Sequence, residues 1–200
     1  HGYALARGAD PRLLLAELCG KFTGTSRAKG GSMHFYDVSA GNFGGDGIVG
    51  GHLPLAAGMG YGIRLRGTAQ VCLCFFGDGA VNEGAFHESL NVSALWDLPV
   101  VYIIENNRYG MGTSIDRASS VKDLYQRASA YGVPRREVNA SKRGDGFRCN
   151  ARRAGRVVLR IEEVRNHVDS RTGSPSLAPR RAPRRRARAP AGARRAAREV

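Results

Sequence analysis

No stretch of this 200-residue chain approaches the roughly 18 consecutive apolar residues of a membrane-spanning helix, which excludes that class. Cysteine is scarce. Cys19, Cys72, Cys74 and Cys149 form no CxxC pair, so neither a zinc ribbon nor a disulfide framework is indicated. They read as reduced core thiols. The five histidines fall at no metal-ligand spacing. Tryptophan occurs once, and after Tyr131 the only aromatic is Phe147. No signal peptide is visible, and the chain opens at His1 without Met. That reads as a fragment of a longer chain.

Acidic charge is what the last third has little of. Residues 1–134 hold 11 basic and 11 acidic residues, against 20 and 6 from 135 onward, so the whole net charge of +14 lies in the final third. From Arg180 the chain is almost only Arg, Ala, Pro and Gly. Such a segment has too little apolar surface to offset about 1–2 kcal/mol of backbone entropy per residue. The reading is a folded domain over 1–138 and a basic, low-complexity tail over 139–200, disordered from about residue 140. Arg-rich tails bind phosphate backbones, but this one has no aromatic interleaving and no known module, which weighs against nucleic acid. A reading frame shifted by one base in GC-rich DNA also yields Arg, Ala, Pro and Gly, and that origin fits the abrupt change near Arg135.

What is present centres on residues 71–109. The apolar runs 71–76 and 99–104 suit parallel strands buried on both faces. Between them, residues 85–95 have helical composition, with Phe86, Leu90 and Ala94 along one face. That is a βαβ unit of an α/β fold, a mostly parallel sheet flanked by helices. Gly77-Asp78-Gly79 ends the first strand and Glu105-Asn106-Asn107 the second, where open α/β sheets bind ligands. Asp78 and Asn107 offer hard oxygen ligands that suit Mg²⁺ shared with substrate phosphates. Gly77 and Gly79 let backbone N–H groups approach a phosphate.

GDG followed by NN, with 26 residues between, resembles the thiamin-diphosphate motif. GGSMHFYD at 30–37, GDGIVGG at 45–51 and the text of 75–114 are similar to the alpha subunit of the pyruvate dehydrogenase component of 2-oxoacid dehydrogenase complexes. Acetoin dehydrogenase alpha subunits are similar as well. The likeness runs to about Val138. It implies thiamin diphosphate and Mg²⁺ as cofactors, on a partial thiamin-diphosphate-binding fold. Asp78 and Asn107 would bind the metal by side chain and Tyr109 by its carbonyl. Gly79 and Ala80 would give amides to the diphosphate, and Gly47 and Val49 backbone groups to the aminopyrimidine. The cofactor carries the chemistry, and the protein binds, orients and tunes it.

The resemblance also implies a beta subunit in a heterotetramer of two alpha and two beta chains, a lipoyl-bearing acyltransferase and a 2-oxo acid substrate, pyruvate first. The carboxylate that activates the aminopyrimidine would come from the beta subunit, so no catalytic residue is assigned here and the chain reads as half of an active site. A cytoplasmic location is expected, or the mitochondrial matrix in a eukaryote. Glu83, His87 and Glu88 read as solvent- or subunit-facing, and His34 and His52 as loop packing or substrate-side contacts.

Elsewhere, Asp10-Pro11 opens a helix ending near Gly20. Residues 53–65 form a helix whose many glycines imply close packing on a neighbouring backbone. Residues 110–120 form a polar loop. Val121, Leu124, Tyr125 and Ala128 mark an amphipathic helix stopping at Gly132. Residues 157–164 are a candidate further strand, and Asn166-His167 lies where the family has a histidine loop.

Overall fold

The computed structural model describes residues 1–138 and 158–163, all within one compact unit, His1–Asn166. In chain order the elements are α1 (Gly2–Ala6), α2 (Pro11–Leu18), α3 (His52–Leu65) and β1 (Cys72–Gly77). Next come a 3-10 turn (Asp78–Asn82), α4 (Gly84–Leu95), β2 (Val100–Asn106), β3 (Tyr109–Gly110), β4 (Thr113–Ser114) and α5 (Ile115–Ala118). A second 3-10 segment (Leu124–Tyr131) leads to β5 (Arg135–Val138) and β6 (Val158–Glu163).

Four strands form one parallel sheet in the order β1-β2-β6-β5. The β1–α4–β2 unit is the expected one, with register from Cys72↔Val100 to Gly77↔Glu105. The two motif-bearing strand ends are therefore level. β2 is buried from Val100 to Ile104, and each such Val or Ile is worth roughly 1.5–3 kcal/mol of burial. Tyr102 is fully buried, so its hydroxyl needs partners. It donates to the Leu53 carbonyl at 3.3 Å and meets Ser93 Oγ at 3.0 Å. These two bonds tie β2 to α3 and α4.

The structure corrects several sequence expectations. β1 is not buried on both faces: Cys74 and Phe76 point inward while Leu73 is exposed. It is an edge strand, and helices α3 and α4 cover one side. The polar loop at 110–120 holds the β3–β4 ladder and α5, which Ser114 caps by accepting the Asp116 N–H at 3.2 Å. The amphipathic segment after Val121 is 3-10, closed by Gly132 at φ +63°, a conformation glycine adopts without strain. Leu124 and Ala128 are its buried residues.

The candidate strand at 157–164 is present, as β6. Residues Val158–Glu163 form a strand paired with β2 on one side and β5 on the other, so the sheet extends past the boundary drawn at 138. Its local β-branched run, Val157-Val158-Leu159-Arg160-Ile161, suits a strand. The rest of 139–200, with Cys149, Asn166-His167 and the Arg-rich end, lies outside the described residues. Within them no helix is long and apolar enough to cross a membrane.

Candidate active site at the carboxyl ends of β1 and β2

Gly77 leaves β1 extended and the chain turns at once into the 3-10 turn, so α4 starts only at Gly84. The helical N-terminus at the strand end is therefore that of the short turn and not of α4. The N–H groups of Gly79 and Ala80 belong to its first turn, where helical geometry provides no internal acceptor. Asp78 is only 4% exposed. Its carboxylate meets its own N–H and that of Asn107, so the ends of β1 and β2 touch through this side chain. Burial pushes the Asp78 carboxyl above the ordinary range against the pull of those two bonds. Among the described residues no cationic side chain pairs with it.

Asn107 uses its side-chain oxygen in an Asx turn, accepting the Tyr109 N–H at 2.9 Å, and Asn106 does the same for Arg108 at 3.1 Å. An amide oxygen has two lone pairs, so that bond leaves one for a further partner. Arg108 stands at φ +68° and Met111 at φ +53°, uncommon for residues other than glycine. These bends fold β3 back on the 3-10 turn. A Cβ on Gly79 would sit 3.3 Å from Gly110 Cα. The backbones at Gly79 and Gly110 thus touch, which brings Asp78, Gly79 and Ala80 beside Asn107 and Tyr109.

Gly47 and Val49 lie on the glycine-rich loop. That loop closes on Gly50, at φ +78°, where a Cβ would be 3.2 Å from Glu83 Cβ. Glu83 directly follows the Asp78–Asn82 turn, so the loop reaches the same end of the sheet. His34 Nδ1 donates to the Gly45 carbonyl at 2.9 Å. His52 Nε2 donates to Phe75 O at 2.8 Å, and His87 Nδ1 meets Tyr131 OH at 2.8 Å. Each of the three rings thus makes a contact within the chain. Among the described residues no three His, Cys, Asp or Glu side chains gather as a metal cluster. Burial pushes the Cys72 thiol up to about 11 and Cys74 higher still, as inert thiols, whereas Cys19 is exposed and does not fit the core reading.

Three residues escaped the sequence reading. Tyr3 stacks on Phe75 with ring centroids 4.5 Å apart, and its hydroxyl donates to Glu105 Oε1 at the end of β2. Arg127 donates to Val81 O at 2.8 Å, Asn82 Oδ1 at 3.0 Å and Ser119 Oγ at 2.8 Å, clamping the 3-10 turn from outside. Glu17 is buried against the loop that follows α2. Only Glu17 carries a signal in the sequence, a charge three residues from Leu14 on the apolar stripe of α2.

Residues 1–143 match the family described as dehydrogenase E1 component. The chain belongs to that family. Among curated proteins it is similar to the pyruvate dehydrogenase E1 component subunit alpha of Rickettsia bellii, 46% identical over 139 residues, 70% of this chain and 43% of that protein. The Rhizobium meliloti protein of the same name is 48% identical over 139 residues, 70% of this chain and 40% of its own. The alpha subunit of acetoin:2,6-dichlorophenolindophenol oxidoreductase from Bacillus subtilis is 47% identical over 134 residues, 67% of this chain and 40% of its own. The E1-family chain thus spans well under half the length of these relatives. Transketolase from Leishmania mexicana shares the fold at TM-score 0.50 and 18% identity, over 60% of this chain and 20% of that one. The α/β parallel-sheet fold is therefore one that this transketolase shares.

Proposed function

We propose that this E1-family chain is part of the alpha subunit of a thiamin-diphosphate-dependent 2-oxoacid dehydrogenase. With a beta subunit, in a heterotetramer of two alpha and two beta chains, it would decarboxylate a 2-oxo acid, pyruvate first, and pass the acyl group to a lipoyl-bearing acyltransferase. The observation supporting this reading is Asp78: a buried carboxylate, raised by desolvation and without a cationic partner among the described residues, level with Asn107 on the next strand. Such a charge gains most from a cation delivered with a ligand. The fit extends to the Gly79–Gly110 contact, where a side chain would occupy the approach.

In this assignment Asp78, the Asn107 amide oxygen and the Tyr109 carbonyl hold Mg²⁺, hard oxygen donors to a hard cation. Gly79 and Ala80 donate N–H groups to the diphosphate, and Gly47 and Val49 offer backbone groups to the aminopyrimidine. When bound, thiamin diphosphate supplies the electron sink that decarboxylation requires. The chain's own residues bind and orient it, and the beta subunit supplies the carboxylate toward the ring.

Titration calorimetry with thiamin diphosphate and Mg²⁺, on the chain assembled with a matching beta subunit, tests the site. Asp78→Ala should lose most of the affinity, Asn107→Ala likewise, and Glu88→Ala little. Unchanged affinity in the Asp78 variant overturns the assignment. Turnover of pyruvate against acetoin, read with a dye acceptor, decides the substrate, since relatives of both names are similarly close.

A further inference from the structure

Glu17 breaks two local rules. It stands on the buried face of α2 beside Leu14, and in the last turn of that helix, where the backbone dipole disfavours a negative charge. A carboxylate that is 1% exposed persists only with full hydrogen bonding. The partners are four backbone N–H groups. Ser26 and Ala28 donate to Oε2 at 2.9 and 3.0 Å, and Gly30 and Gly31 to Oε1 at 2.7 and 3.2 Å. Burial pushes the carboxyl up, but these bonds outweigh it and hold Glu17 below the ordinary range. Arg27 and Ala28 adopt φ +54° and +65° to turn their neighbours' amides inward. Convergent N–H groups of this kind make an anion-binding concavity, and here the chain fills it with its own carboxylate. Gly24 lies against the Glu17 backbone with no room for a Cβ.

Contacts continue from this nest to the glycine-rich loop. Ser26 Oγ donates to the His34 carbonyl at 2.8 Å, and the His34 N–H donates to Gly30 O at 3.2 Å. A carbonyl only accepts, so the His34 ring carries its proton on Nδ1 and donates it to Gly45 O at 2.9 Å. Tyr36 OH donates to the same oxygen at 3.2 Å. The far edge of the imidazole backs on Gly47, where a Cβ would lie 3.5 Å from Cε1 and 3.6 Å from Nε2.

We propose that Glu17 is a positioning residue: by fixing residues 26–31 it sets the place of His34 and, through the His34–Gly45 bond, of residues 45–49. That segment is the one assigned above to the cofactor's ring. The inference rests on that assignment for the ligand alone; the coupling of the two loops belongs to contacts within this chain.

The test uses the chain assembled with a matching beta subunit. Glu17→Gln keeps the volume but turns an N–H donor toward backbone N–H groups, and Glu17→Asp keeps the charge at shorter reach. Ser26→Ala removes the Oγ bond to the His34 carbonyl but leaves the His34 N–H bond to Gly30 O and the buried carboxylate in place, which keeps the test open if the Gln variant fails to fold. Amide hydrogen exchange without cofactor should quicken at 45–48 as well as at 26–31 in Glu17→Gln. In Ser26→Ala it should quicken at 45–48 alone. Titration with thiamin diphosphate and Mg²⁺ should show about tenfold weaker binding in Glu17→Gln, with partial rescue in Glu17→Asp. The maximal rate at saturating cofactor should stay within about twofold, since no interaction special to the transition state is removed. Exchange at 45–48 that matches the parent in both the Gln and Ala variants overturns the proposal. Failure of the unaltered assembly to bind the cofactor would instead discard the ligand assignment, and exchange would still decide the coupling.

Discussion

Asp78 and Glu17 are both buried carboxylates, and their environments push them in opposite directions. Asp78 is raised by burial, so the folded chain holds its proton more tightly than the unfolded chain. Its contribution to stability is full below the ordinary carboxylate range and is lost as pH rises through the raised value. Ionised above that value, the group therefore weakens the cofactor-free fold. Asp78→Asn should melt higher than the parent at neutral pH, with the gap closing as pH falls, measured by thermal melts across pH. The same change should cost cofactor affinity by at least the roughly 10–100-fold that even an outer-sphere partner of a metal is worth. For Glu17 the sign reverses: its lowered pKa gives stability present above the ordinary range and lost as pH falls through the lowered value. Arg127 acts on geometry. Replacing it by Met leaves Val81 O without its donor and should cost about 1–3 kcal/mol by chemical denaturation.

At the scale of elements, α3 separates two kinds of glycine. A Cβ on Gly60 would stand 2.5 Å from Val100 Cγ2 and 3.3 Å from Leu98 Cβ, so this glycine lets the helix lie on β2. Gly60→Ala should destabilise by about 1–3 kcal/mol through overpacking. Gly58 and Gly62 have nothing within 4 Å of a Cβ, and with exposed Leu55 and Leu65 they follow one face at i, i+3, i+7, i+10. Each Gly→Ala there should stabilise the isolated chain by up to about 1 kcal/mol of helix propensity. If that face meets the beta subunit, the same double change should weaken assembly. Melting curves read the first effect and sedimentation of the mixed subunits the second. Stronger assembly after both substitutions would remove this face from the interface.

At the scale of the molecule, β6 decides where the folded unit ends. It pairs with β2 over Val101↔Val158 to Asn106↔Glu163 and carries β5 on its other edge. Cutting the chain after Val138 would leave the apolar strand β2 with an open edge, a template for association. A 1–138 fragment should aggregate where a 1–166 fragment stays monodisperse, as light scattering would report. The isolated chain should also turn over no 2-oxo acid, because the carboxylate for the aminopyrimidine is assigned to the beta subunit. Clear turnover by the chain alone, in a dye-acceptor assay, would contradict the half-site reading.

The sequence by itself determined the β1–α4–β2 unit, because a continuous apolar run, a 3.6-residue period and a glycine-bounded turn are all local patterns. It also placed Asp78 and Asn107 at strand ends, since the spacing of GDG and NN fits one crossover. What only the tertiary structure decided depends on partners distant along the chain. The carboxylate of Glu17 is stabilised by amides up to 14 residues away, the clamp of Arg127 reaches back 46 residues, and Tyr3 meets Glu105 across 102. Local composition holds no record of such meetings. The same reason governs β6. Its membership of the sheet follows from hydrogen bonds to β2 and β5, so the local β-branched run marked a candidate strand but not its place between two others.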